Sequence, residues 1–133
     1  MSSHPALEHA VMHAQAFLDS LDERPVAVTA TLQQLRKALD KELTDQGVAP
    51  EQVIDELARD AEAGLLGSTT GRFFGWVIGG TLPAALGADW LASAWDQNGA
   101  TYAVSPASSV AEEVAGRWLK DLLGLPADAS LHS

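Results

Sequence analysis

Two residue pairs in this chain have the types and spacing for chemistry, His9 with His13 and Glu112 with Glu113. On a helix, His9 and His13 are four residues apart, a spacing that can chelate a metal, but no third ligand is obvious beyond Glu8 or a distant acid. Adjacent glutamates point about 100° apart on a helix, so they cannot share one proton in acid–base work. We predict a solvated helix face for the histidines and a structural role for the glutamates, with no catalytic residue and no metal site.

Composition excludes several functional classes. The chain has 133 residues and no cysteine, which removes disulfides, thiolate nucleophiles and zinc–thiolate sites. Eighteen acidic residues against eight Lys and Arg give a net charge of -10, which repels phosphate backbones and anionic membranes. The N-terminus is not typical of a secretory signal, and no apolar run is long enough to span a bilayer. We expect a cytoplasmic protein with no nucleic-acid or membrane partner.

The segment from Gly71 to Pro83 combines aromatic residues with closely spaced glycines. Gly79-Gly80-Thr81 precedes a helix and could present N–H groups to an anion, but it matches neither common phosphate-binding glycine pattern. Glycines beside bulky aromatics indicate close approach of the backbone to a ligand or to another chain. Residues 73–77 form a short extended run with no partner strand in the sequence, so either it is not a strand or its partner strands lie elsewhere.

The rest of the chain reads as helices on long connections. Apolar spacing predicts a first helix from Pro5 to the Arg24-Pro25-Val26 break. Thr31 and Gln34 resemble a capping box for a second helix, with an apolar stripe through Leu43 and a C-cap at Gly47. Prolines and glycines then set three further helices: Pro50 to about Gly64, Pro83 to about Trp95, and Pro106 to about Leu123 behind an N-cap at Ser105 and before Gly124 and Pro126.

Several motifs in this order carry a family resemblance. The chain resembles the N-terminal portion of the group II pyridoxal-phosphate-dependent decarboxylases, which include aromatic-amino-acid, histidine and glutamate decarboxylases. The match runs from Arg24 to Pro126 and is strongest from Gly71 onward. Its specific parts are Arg72-Phe73-Phe74-Gly75, Leu82-Pro83-Ala84, Ala88-Asp89-Trp90-Leu91, Ser105-Pro106-Ala107 with Glu112, Trp118-Leu119, and Leu122-Leu123-Gly124-Leu125-Pro126.

The resemblance implies a mainly α chain, the N-terminal helical segment of a type I, aminotransferase-like fold. It implies an arm at 1–70 that wraps the partner subunit of a homodimer, the start of the decarboxylase domain at 71–126, and a tail at 127–133. It also implies that the segment holding Tyr102 reaches toward the active site across the dimer interface. The implied substrate-binding residues are Trp76, Val77, Ile78, Gly79 and Tyr102.

Two departures from the family limit what the resemblance implies. Aromatic-amino-acid decarboxylases carry a Tyr-Phe-Pro-Thr-like run at the position of residues 76–79, so an aromatic substrate is not implied. The large domain, with its Schiff-base lysine and other cofactor-binding groups, is expected after Ser133. Lys37, Lys41 and Lys120 do not correspond to that catalytic lysine. We therefore expect a truncated or partial amino-acid decarboxylase, a carbon–carbon lyase by ancestry, that is inactive as an isolated chain and binds no pyridoxal phosphate.

A function of a different class is a helical self-association module, or a gene remnant with no catalytic role. Apolar stripes on the first two helices are more than a detached arm can bury by itself. They comprise Leu7, Val11, Phe17, Leu18, Leu32, Leu35 and Leu39.

Overall fold

A computed structural model describes residues 3–130 of the chain as helices joined by irregular segments. The elements are α1 (Pro5–Asp19), α2 (Leu32–Leu39), α3 (Pro50–Ala61), a 3-10 turn (Glu62–Gly64), α4 (Pro83–Trp95) and α5 (Pro106–Leu123). The mainly α prediction is confirmed. The chain divides into two compact units, Met1–Thr81 and Leu82–Ser133, each described by itself below. No helix within 3–130 is long and apolar enough to cross a membrane.

The short strand considered at 73–77 does not form within residues 3–130: these residues form bends and irregular backbone, and no strand occurs in the described range. A strand is stable only when its N–H and C=O groups pair with a neighbouring strand, and residues 3–130 supply none. Aromatic composition alone therefore did not produce a strand.

The first unit is organised around α3, which packs against both α1 and α2. Backbone hydrogen bonds join the connections to this layer. The amides of Thr29 and Ala30 both donate to the Ala63 carbonyl, at 2.9 and 3.0 Å, and the Gly67 amide donates to the Val26 carbonyl at 2.9 Å. No hydrophobic side chain among the described residues is fully buried, so these helices pack through partly exposed apolar side chains together with polar contacts.

Two helices end earlier than their apolar patterns predict. α1 stops at Asp19, where the Ser20 hydroxyl donates to the Phe17 carbonyl at 2.7 Å and competes with continued helical pairing. α2 begins with the predicted capping box at Thr31 but stops at Leu39, so the C-cap prediction at Gly47 is wrong. The carboxylates that follow, beginning at Asp40, oppose the negative end of a helix dipole.

The second unit contains α4 and α5, whose bounds agree with the sequence prediction. Asp96 ends α4 in the left-handed conformation at φ 47°, and Gly124 ends α5 at φ 63°. Glycine has no Cβ and adopts that geometry without strain, which explains the position of the second stop. Within the described residues of this unit, α4 and α5 do not pack against each other.

Candidate functional site

The candidate substrate residues Trp76, Val77, Ile78 and Gly79 lie in an exposed loop of the first unit, which we call the 73–81 loop. Trp76 is 87% exposed and Val77 107%, while Ile78 is 50% exposed. Residues 74–81 make no backbone–backbone hydrogen bond within the described chain. Trp76 and Val77 are therefore available to a ligand or to another chain, whereas Ile78 is half-covered by the chain itself.

Strain in this loop lies at Trp76 rather than at the glycines. Trp76 has φ 61°, a left-handed value that costs a residue with a Cβ roughly 1–2 kcal/mol. A Cβ added at Gly79 would meet nothing within 4 Å, and one at Gly80 would make an ordinary contact with the Thr69 carbonyl at 3.5 Å. The close approach inferred for Gly79 and Gly80 is therefore not made by the described residues of this chain. A strained aromatic residue in an exposed loop is a feature found at ligand sites.

Tyr102, the fifth candidate, belongs to the second unit and is 64% exposed. It lies in the turn before α5, where the amides of Val104 and Ser105 donate to the Thr101 carbonyl at 3.2 and 3.1 Å. This turn leads into the N-cap at Ser105, which has no exposed area. Four of the five candidate residues, 76–79, are therefore contiguous in the 73–81 loop, whereas Tyr102 lies in the turn before α5.

The histidine pair has a partner that the sequence did not reveal. Nδ1 of His9 and Nε2 of His13 lie 2.8 and 2.7 Å from the same oxygen, Oδ1 of Asp55 on α3. The pair therefore joins α1 to α3, which corrects the prediction of a merely solvated face. Hydrogen bonds from His13, then from His9, lower the pKa of Asp55 despite partial desolvation. Forty-two residues separate His13 from Asp55, so no local spacing pattern indicates the contact.

Other candidate groups occupy ordinary surface positions. Glu112 and Glu113 are both exposed on α5. In the described part of the chain, no group of three or more His, Asp or Glu side chains is arranged to hold a metal ion. Lys37 is exposed, Lys41 forms an ion pair with Asp60 at 2.7 Å, and Lys120 donates to two backbone carbonyls. These surroundings do not resemble an enclosed cofactor site.

Comparison with known proteins gives a structural match and no match by sequence. No family model matches the chain, and no curated protein matches it. Among solved structures, mouse CSAD (cysteine sulfinic acid decarboxylase) in its apo form matches with a TM-score of 0.72 and 25% sequence identity. The match covers 91% of this chain and 25% of that one, so this chain spans about a quarter of the length of the solved structure.

Proposed function

We propose that this chain, which has the fold of the N-terminal portion of a group II pyridoxal-phosphate-dependent decarboxylase, acts as the helical arm and substrate-side loop of an amino-acid carboxy-lyase. The observation that carries the proposal is the structural match over 91% of the chain. The motifs from Arg24 to Pro126 support it independently, because they were identified from the sequence.

In this proposal, Trp76, Val77, Ile78 and Gly79 contact the substrate side chain, and Tyr102 of a second copy approaches it. The exposure of Val77 and the strained backbone at Trp76 support the loop assignment. A residue packed in the core of its own unit would be covered, and Ile78 is half-exposed. The loop presents mainly apolar side chains and the exposed backbone of Gly79, so it would select substrates by shape.

A chimera tests the loop assignment. Residues 3–130 would replace the matched segment of mouse CSAD, with and without Ile78→Phe, and turnover of a panel of amino acids would be compared. We expect Ile78→Phe to change the ratio of turnover among substrates, because the larger ring shortens the pocket. Val48→Phe, at another exposed position of the first unit, is the matched control and should leave that ratio unchanged.

The thermal stability of the same variants separates the two interpretations of Ile78. Overpacking a buried position costs roughly 1–3 kcal/mol. If Ile78→Phe lost that much stability and left substrate preference unmoved, Ile78 would be a core residue and the loop assignment would be withdrawn.

Pyridoxal phosphate belongs to the complete enzyme in this proposal, where it would supply the electron sink for carbon–carbon cleavage. The lysines of this chain do not fit a cofactor-holding role. A nucleophilic lysine must present an unprotonated amine in a protected site, whereas Lys41 is paired with a carboxylate and Lys120 bonds two carbonyls. The segment therefore contributes to substrate recognition and assembly, and catalysis by this chain alone is not expected.

Exposed apolar area supports association with a second copy. The total solvent-accessible surface of the chain, polar and apolar together, is 10857 Å². A folded monomer of 14.0 kDa is expected to expose about 6,700 Å², and two separate compact units of these lengths about 8,000 Å². Large apolar side chains on α1 and α2 contribute to the excess, including Leu7 at 57% and Leu32 at 63% exposure. Covering these faces with a partner chain is favourable, since apolar burial drives association.

Sedimentation of the 133-residue chain tests this association. We expect a dimer or a larger soluble assembly, and Leu7→Lys with Leu32→Lys should shift the population toward monomer. Gln33→Lys, at an exposed residue of α2 about 100° around the helix from Leu32, is the matched control. A wild-type chain that stayed monomeric and unfolded cooperatively at high temperature would instead indicate an independent domain.

A further inference from the structure

Arg72, immediately before the 73–81 loop, reaches across the first unit to the end of α1. One nitrogen of its guanidinium, Nη2, donates to the Leu21 carbonyl at 2.8 Å and to the Arg24 carbonyl at 2.9 Å. These acceptors precede Arg72 by 51 and 48 residues. A single side chain thus connects the start of the loop to the turn that follows α1.

The turn after α1 is a suitable place for a cation. The carbonyls of Leu21 and Arg24 lie beyond Asp19, where α1 ends, and accept no backbone hydrogen bond within the described residues. Arg72 therefore supplies their donor, together with a positive charge, from a distant part of the chain. Because the same nitrogen donates to two carbonyls, the two hydrogen bonds fix both the direction of the Arg72 side chain and the distance between Nη2 and the turn.

The turn that accepts these bonds is itself held in place by contacts of the Arg24 side chain. The Arg24 guanidinium lies 4.1 Å from the centre of the Phe17 ring, donates to the Ser20 hydroxyl at 3.2 Å, and pairs with Glu62 at 2.8 Å. Its side chain is only 8% exposed. The carbonyls that Arg72 contacts therefore have a fixed position relative to α1 and to the 3-10 turn after α3.

The backbone of Arg72 is fixed by a neighbouring turn. Its amide donates to the hydroxyl of Thr70 at 3.2 Å, and Thr70 is 9% exposed. The Phe73 amide donates to the Thr70 carbonyl at 3.3 Å, which is the last backbone hydrogen bond before the open part of the loop. Arg72 is therefore the last side chain with a long-range hydrogen bond before residues 74–81.

We propose that Arg72 is a positioning residue that fixes the start of the 73–81 loop relative to α1 and thereby orients Trp76 and Val77 for substrate. The part that concerns substrate rests on the proposed function. Arg72 itself does not touch substrate in this scheme; it acts through the backbone that follows it. Lysine is an incomplete substitute: its ammonium can also donate two hydrogen bonds from one nitrogen, but its side chain is shorter and reaches the two carbonyls less well.

Distance measurement between two spin labels tests the positioning role directly. The chain has no cysteine, so Gln15→Cys on α1 and Val77→Cys in the loop can be labelled specifically. Both positions are exposed and both belong to the first unit. With Arg72 present we expect one narrow distance distribution. Arg72→Gln should lose that single peak and give a broad distribution, and Arg72→Lys should broaden it less.

Arg117→Gln, at an exposed arginine of α5, is the matched control and should leave the distribution narrow. An unchanged distribution in both Arg72 variants would overturn the proposal. Loss of overall helicity in both variants would also overturn it, because Arg72 would then support the whole unit rather than the loop. The measurement uses no substrate, so it is separate from the Ile78→Phe chimera. The Arg72 variants could broaden the distance distribution while Ile78→Phe leaves substrate specificity unchanged. In that case Arg72 would still position the loop, and the role of the loop in substrate binding would be withdrawn.

Discussion

The two compact units differ in how their helices are held. In the first unit, α3 contacts both α1 and α2, and side chains distant in sequence join the layers, as Asp55 does with His9 and His13. In the second unit, α4 and α5 make no packing contact with each other within the described residues. Their aromatic residues are open as well: Trp95 is 62% exposed and Trp118 61%.

This difference indicates where each unit obtains its stability. Most helical stability in proteins comes from tertiary packing, because isolated helices of this length are marginal in water. The first unit supplies part of that packing and adds hydrogen bonds between its helices, such as those of Asp55 with His9 and His13. The second unit has prolines at its helix N-termini and left-handed residues at their C-termini, but it leaves its apolar faces without a partner within the described residues. This agrees with a segment that completes its fold against another part of an assembly.

The largest expected effect is a contrast in amide hydrogen exchange along the 133-residue chain. Amides in α3 should exchange about tenfold more slowly than those in α5, equivalent to about 1.4 kcal/mol of local opening free energy. The physical reason is that α3 is packed on two sides and α5 is not. Equal protection of the two helices in dilute, monomeric protein would remove the proposed contrast between the units.

A smaller effect is expected from the two helix N-caps. The Thr31 hydroxyl accepts from the Gln34 amide at 3.2 Å, and the Gln34 side chain accepts from the Thr31 amide at 2.7 Å. Ser105 caps no amide with its side chain and instead donates to the Ser108 hydroxyl at 2.7 Å.

Thr31→Ala should therefore cost about 1 kcal/mol of unfolding free energy, in the usual range for a lost cap. Ser105→Ala should cost less, because no backbone amide loses a partner. Chemical denaturation followed by circular dichroism compares them. A larger loss for Ser105→Ala would show that α5 depends on its N-terminus more than the structure indicates.

The smallest effect concerns acid sensitivity of the contact between α1 and α3. Since the folded-state pKa of Asp55 lies below its usual 3.8, its ionised form stabilises the folded chain above that pH. The contribution is lost as the pH falls through the lower folded-state value. Asp55→Asn should make the thermal midpoint fall less steeply between neutral pH and strong acid, while Asp45→Asn, at an exposed loop position, should leave the slope as in the wild type. If the thermal midpoint of Asp55→Asn fell more steeply with acid than that of the wild type, the stabilising contact of Asp55 with His9 and His13 would be contradicted.

Local signals in the sequence determined much of the helical layout. Pro83 and Pro106 begin their helices, Gly124 ends α5, and the capping box at Thr31 is formed. These features depend on one residue's backbone preference or on neighbours within one turn, so they can be read without knowing the fold. The ordered motifs from Arg24 to Pro126 likewise identified the family resemblance that the structural match supports.

Only the tertiary structure decided which distant side chains meet and which segment stays open. The meeting of His9 and His13 with Asp55, and of Arg72 with the turn after α1, joins residues 42 to 51 positions apart, and no periodicity encodes such pairs. The tertiary structure also decided the conformation of residues 73–77, whose aromatic composition favoured a strand. Whether a strand forms depends on a neighbouring edge with free N–H and C=O groups, and the described part of the chain brings none to it. Preferences of single residues act locally, whereas a hydrogen bond between elements requires both partners to be placed by the fold.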